Sequence, residues 1–246
     1  MILRRITEHV KAQNWFAVAL EFFIVVLGVF VATQVSNWNE ARKDREREQV
    51  YIERLRSDFE AIEARSGMAF DVWQSAVDAS ARLLNDIETF DPETGPARLV
   101  EQIAADFGAL RAGRIPAAQA PTFIEMLSAG DVALVRDAAL RDALLAYDVQ
   151  AHYSLESYRV LRSDAEPGIS ILSDALEFNL LGNSENAADA GLGSVTTDVD
   201  VKAMVNDVRT RNAIKNLGVI AYNQRGVSAM HMQRAQDVLA ALEAQE

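Results

Sequence analysis

From Trp15 to Val35 the chain reads WFAVALEFFIVVLGVFVATQV, an apolar run with a single charge, Glu21. The hydrocarbon layer of a bilayer is about 30 Å thick and takes about 20 apolar helical residues to cross, so this run predicts a transmembrane helix over residues 15–38. Trp15 and Trp38 bracket it. On a continuous helix rising 1.5 Å per residue they stand about 34 Å apart, one indole for each interface. A cleavable signal peptide fits less well, because the N-terminal region is long, the apolar stretch exceeds 7–15 residues and no A-x-A-like site follows.

The span divides the chain into a short cytoplasmic or interfacial segment (1–14), the membrane helix (15–38) and a soluble domain (39–246). Lys and Arg alone do not orient it, since Arg4, Arg5 and Lys11 precede the span and Arg42, Lys43, Arg45 and Arg47 follow it. The second group is interleaved with Asp44, Glu46 and Glu48 at helical spacing, so those cations are expected to pair along a helix. The expected arrangement has the N-terminus in the cytoplasm and the domain outside.

Glu21 needs an explanation, because a carboxylate at mid-membrane costs about 2.5–3.5 kcal/mol even on lenient scales. It either marks the inner interface, with hydrocarbon beginning at Phe22, or finds a partner within the bilayer. In the first case Ile2, Leu3, Ile6 and Val10 suit a short amphipathic helix on the membrane surface. At the other end, Gln34, Asn37, Trp38, Asn39 and Glu40 form either an interfacial collar or a docking point for a membrane neighbour.

The formal charge is −12, and residues 1–40 balance three cations against three acids, so the excess lies in the soluble domain. An acidic domain without a basic face repels phosphate backbones, which makes nucleic acid an unlikely partner. The chain has no cysteine. Disulfides, cysteine ligands and thiol catalysis are therefore excluded.

The soluble domain reads as all-α, a long helix continuing the membrane helix and followed by an antiparallel bundle. Tyr51, Leu55, Phe59, Ile62, Ala69, Trp73, Val77, Leu84 and Ile87 step by threes and fours with Ser66 and Ser80 in the gaps, a stripe that serves either the chain's own core or a coiled coil between chains. Gly67 is a candidate break. A turn at Asp91–Pro96 leads to a helix over 97–112 with Leu99, Ile103 and Phe107 on one face. Thr122 and Glu125 suggest a capping box for a brief helix stopped by Gly130, and Asp137 is expected to cap a long helix ended by Pro167. Residues 169–181 suit one more helix, 182–200 a polar loop, and 201–244 the last helix.

The membrane exit, an acid ahead of the apolar run, Gly28 within it, then Gln34, Asn37, Trp38, Asn39 and Glu40, resembles an uncharacterised bacterial family of single-pass membrane proteins. Phe123–Gly130 (FIEMLSAG), Leu134, Leu140, Arg141 and Tyr147 resemble its middle segment. The likeness covers most of the chain, strongly at residues 20–60 and loosely beyond. It implies a protein of the bacterial inner membrane with a helical domain of unknown role, and it carries over no catalytic residue.

Chemistry-bearing constellations are sparse. His9, His152 and His231 show no i, i+4 ligand spacing, and Asp148 with His152 reads as a surface pair on a helix. No G-x-S-x-G elbow, Walker A run or dinucleotide fingerprint occurs. No enzyme activity, cofactor or metal is expected. The expected role is a membrane-anchored scaffold or protein-binding module whose partners are the bilayer and a membrane or envelope protein or a second copy. The alternative is a small-molecule-sensing bundle that signals through a membrane partner.

Overall fold

The computed structural model describes residues 15–113, 119–174, 176–179, 196–199 and 201–245. They belong to two compact units, one up to Tyr51 and one from Ile52 onward. The helices are α1 (Trp15–Thr89), α2 (Val100–Arg111), α3 (Pro121–Ala129), α4 (Ala138–Asp174), α5 (Val201–Asn206) and α6 (Val208–Glu243), with a 3₁₀ turn at Asp131–Leu134. A short β1 (Leu176–Asn179) pairs antiparallel with β2 (Thr196–Val199), Leu176 opposite Val199.

The first unit, as described, is α1 up to Tyr51 and contains its apolar part. Its residues from Phe22 to Val35 are exposed all round, and among the described residues α1 is the one helix long and apolar enough to cross a bilayer. A helix apolar on every side is stable only in an apolar surrounding, so the protein is membrane-associated. The amphipathic segment expected at Ile2–Val10 lies outside the described residues.

In the second unit, α1 buries Leu55, Phe59, Ile62, Ser66, Ala69, Trp73, Ala76, Ser80, Leu83 and Ile87. This is an unbroken heptad spacing, and it faces the chain's own core. After Trp73 the buried positions are Ala76 and Leu83, each one residue ahead of the expected Val77 and Leu84, which are only partly covered. Cross-links from α1 to α6 run antiparallel: Gln236 donates to Glu63, Arg225 to Gln74, and Ser80 to the carbonyl of Ile214. From α1 to α4 they run parallel, with Phe59 against Tyr147 and Trp73 against Tyr158. Helix α6 is thus antiparallel to both α1 and α4, while residues 90–137 carry the chain back so that α4 repeats the direction of α1.

Local signals are partly overridden by this packing. Gly67 does not break α1; Ser66 beside it is buried and donates to Ile62 O at 2.8 Å. Pro167 does not end α4, which runs on to Asp174. An internal proline costs about 3 kcal/mol, but Ala165 and Leu172 on either side of it are buried, and Gly168 lies against Leu217 of α6. The capping box at Thr122 is not formed. Ala120 holds the N-cap position with Pro121 in the first turn, the Thr122 N–H donates to Asp58, and Glu125 pairs with Arg54. Asp137 does cap α4, accepting from the Leu140 N–H at 2.7 Å, and Gly130 closes α3 with φ 75°.

The segment expected as a helix over 169–181 divides between the end of α4 and β1, with residues 175, 180 and 181 outside the described set. Four residues of the expected 182–200 loop, Thr196–Val199, pair as β2, where Thr and Val suit an extended backbone. The expected last helix is interrupted at Asp207, whose carboxylate accepts from the Arg209 N–H and starts α6.

Candidate functional site

The seven residues singled out at the membrane, Glu21, Gly28, Gln34, Asn37, Trp38, Asn39 and Glu40, are all on α1 and exposed. At 100° per residue, Glu21 and Gly28 share one face, while Gln34, Asn37 and Trp38 group on another. The helix therefore presents two separate polar features. Trp38 is 65% exposed, and a Cβ added at Gly28 would meet nothing within 4 Å.

Of the histidines, His9 lies outside the described residues. His152 is a surface group: its Nδ1 lies 2.9 Å from Asp148 O, and the Gln119 amide bridges it to the Asp148 carboxylate. His231 is fully buried. Its Nε2 is 3.1 Å from the Tyr147 hydroxyl and its Nδ1 3.3 Å from Ser154 Oγ. Burial lowers its pKa to about 4, so it is neutral at physiological pH, and burial pushes the Tyr147 phenol up. Both imidazole nitrogens are hydrogen-bonded and no water reaches the ring. The cluster ties α4 to α6 and pins one packing of the core.

A second polar cluster joins α1 to α2. Arg82 clamps Asp106 at 2.6 Å, and Arg98 bridges Asp106 and Asp86, each at 2.7 Å. Burial pushes Asp106 up, but hydrogen bonds and charge from Arg82 and Arg98 outweigh it and hold the carboxyl below its usual range. At Asp86, which pairs with Arg98, burial prevails and raises the pKa. Among the described residues no cluster of His, Asp and Glu is arranged to hold a metal ion.

Concavities lie between the helices. The first is an open groove of about 780 Å3 between α4 and α6, lined by Tyr153, Val160 and Leu161 on one side and Gly226, Val227 and Met230 on the other. Apolar residues flank it in excess of what the core uses. Tyr153 and Val160 on its α4 bank and Met230 on its α6 bank stand exposed. The second is a small cavity among α1, α2, α4 and α6, bounded by Trp73, Leu110, Tyr158, Ile169, Leu217 and Gln224. Leu161 borders both.

Helical periodicity alone marks the groove, because α4 carries more apolar positions than one core face can absorb. The cavity has no such signal. Comparison with family models, with curated proteins and with solved structures returns no match for this chain. What the fold and its sites define is a membrane-associated all-helical bundle of the scaffolding or interaction kind.

Proposed function

We propose that the protein is a scaffold anchored in a bacterial inner membrane, its domain outside the cytoplasm, which docks an amphipathic helix of another membrane or envelope protein in the α4–α6 groove. The exposed apolar residues on its two banks, Tyr153 and Val160 on α4 and Met230 on α6, carry this reading. Helix-in-groove recognition places i, i+3 or i+4 and i+7 anchors into such a trough, and Gly226 leaves its bank without a side chain. The reading is of a binding module and not an enzyme; the bacterial location rests on the resemblance, and the orientation on the acids that offset the cations after the span, as in Arg42–Glu46 and Arg47–Asp44.

The test is recovery of co-purifying protein from gently solubilised membranes at native expression. Val160→Glu with Met230→Glu, each placing a charge on the groove, is expected to lose a protein that the wild type and an α2 surface control, Glu101→Gln, both retain. Equal recovery from all three overturns the docking site. A cross-link from the groove to a second copy would make the occupant the chain itself. For orientation, an alkaline-phosphatase fusion after Glu246 is expected to be active; inactivity reverses it.

A further inference from the structure

The hydrogen bonds around the buried His231 run in one direction. Ser154 donates its single hydroxyl proton to the Gln150 carbonyl at 2.8 Å, so toward His231 Nδ1, 3.3 Å away, its oxygen can only accept. The proton of the neutral imidazole therefore sits on Nδ1, and Nε2 accepts from the Tyr147 hydroxyl at 3.1 Å. A second proton, on Nε2, would put a positive charge in a site shut off from water and set an N–H against the O–H that points at it. The Tyr147 hydroxyl must then turn its own proton away from the ring.

The charged groups nearby are engaged elsewhere. From α4, Asp148 follows Tyr147 in the chain, but its carboxylate faces Gln119 and His152. From α1, Arg65 acts on Tyr147 as a cation and Glu63 takes the Gln236 amide, while on α6 itself Arg234 pairs with Asp237. Among the described residues none of these bonds to the imidazole, and burial is what lowers its pKa.

The contact between α4 and α6 is uneven along its length. At one end Leu172 and Leu217 join the main apolar cluster, to which α6 contributes up to Ala221. From there to Ala235 the residues that α6 buries are Gln224, Val227, Ser228, His231 and Ala235, and over the facing stretch α4 buries Tyr147, Ala151 and Ser154. Most of these are polar or small, so little apolar area opposes a local parting of the helices there. Tyr153 and Met230, the sequence neighbours of Ser154 and His231, stand exposed, which puts the buried chain of hydrogen bonds directly beneath the surface.

We propose that this stretch is an acid-operated latch: uptake of a proton at His231 parts Tyr147–Ser154 of α4 from Gln224–Ala235 of α6, while the apolar cluster about Leu172 and Leu217 stays closed. In the open form the imidazole is hydrated and recovers its ordinary basicity. With a pKa of about 4 closed against 6.5 open, acid moves the equilibrium toward the open form by up to about 300-fold. The latch does not rest on the docking reading of the neighbouring groove.

The chain has no cysteine, so pairs of spin labels on introduced cysteines can be read in the full chain in detergent micelles. One pair, Val149→Cys with Gln233→Cys, spans the latch from exposed positions, and a second, Ser163→Cys with Val219→Cys, spans the same two helices nearer the Gly168–Leu217 contact. As the pH is lowered from neutral to about 4, the first pair is expected to gain a longer distance and the second to keep its own. With His231→Gln both are expected to stay. A first pair that does not lengthen, or two pairs that lengthen together, overturns the proposal, as does an undiminished response in His231→Gln. If that variant does not fold, 15N imidazole shifts in a chain carrying His9→Gln and His152→Gln decide whether His231 is the group. Its titration must share the midpoint of the opening, and a midpoint elsewhere overturns the latch.

Discussion

Gly218 of α6 packs directly onto Ser80 of α1, so closely that a Cβ at position 218 would overlap the Ser80 hydroxyl and come within 2.7 Å of its Cβ. Ser80 meanwhile donates to the Ile214 carbonyl at 3.1 Å. Two small residues thus set the distance between the antiparallel helices. Gly218→Ala is expected to destabilise the domain by about 1–3 kcal/mol through overpacking, although alanine is the better helix former. Adding Ser80→Gly is expected to restore part of that loss. Denaturant unfolding of the two singles and the double measures it, and strictly additive losses would show that the contact is not what sets the spacing.

Asp106 is the buried centre of the α1–α2 ion cluster. Asp106→Asn is expected to cost about 2–4 kcal/mol, because it leaves Arg82 and Arg98 facing a neutral group. Since its folded pKa is lowered, the wild-type contribution is present above the unfolded value near 4 and disappears as pH falls through the folded one. The variant is expected to be least different from wild type in strong acid. A difference constant across pH would count against the ionic origin.

His231 acts in a separate window. Its folded pKa of about 4 lies below the unfolded 6.5, so between those values the unfolded chain binds the extra proton and stability falls as pH falls. The full difference is about 3 kcal/mol at 1.36 kcal/mol per unit. Thermal unfolding of the wild type is expected to drop between pH 6.5 and 4, and His231→Gln to flatten that slope even if it starts lower. An unchanged slope would assign the acid sensitivity elsewhere.

Everything that packs the core lies in the unit from Ile52 onward. A fragment beginning at Ile52 is expected to be soluble, with a strongly helical circular dichroism spectrum. An insoluble or sheet-rich fragment would contradict the fold.

Glu21, exposed on α1 and on the same face as Gly28, is expected to serve as an interfacial anchor. Glu21→Gln and Glu21→Leu should then insert and recover co-purifying protein equally well. If Leu abolishes recovery while Gln only reduces it, the carboxylate has a partner within the bilayer.

Much of this architecture can be read along the chain because it is periodic. The heptad stripe of α1 is correct from Leu55 to Trp73, although its expected first member, Tyr51, is only partly buried, and the shift beyond Trp73 has a simple cause: Ala76–Val77 and Leu83–Leu84 offer two apolar residues at each step, and the pattern does not choose between them. Caps that use neighbouring residues, at Asp137 and Gly130, are legible for the same reason of locality. Thr122 and Glu125 are not, since Asp58 and Arg54, from a distant part of the chain, claim the groups that would have formed the cap. Pro167 is carried through α4 by packing on α6 that no local rule contains. Trp73 reads as an ordinary core residue in sequence, and only the fold shows its indole N–H without an acceptor among the described residues.

The ties between α1 and α6, from Arg56 with the Leu242 carbonyl through Glu63–Gln236 and Gln74–Arg225 to Ser80–Ile214, are spread along the helix and not gathered at one end. Tension applied along α1 would load these contacts in shear, together, instead of peeling them one after another. Within its bundle, this part of α1 is thus held in a geometry that resists being drawn out along its axis.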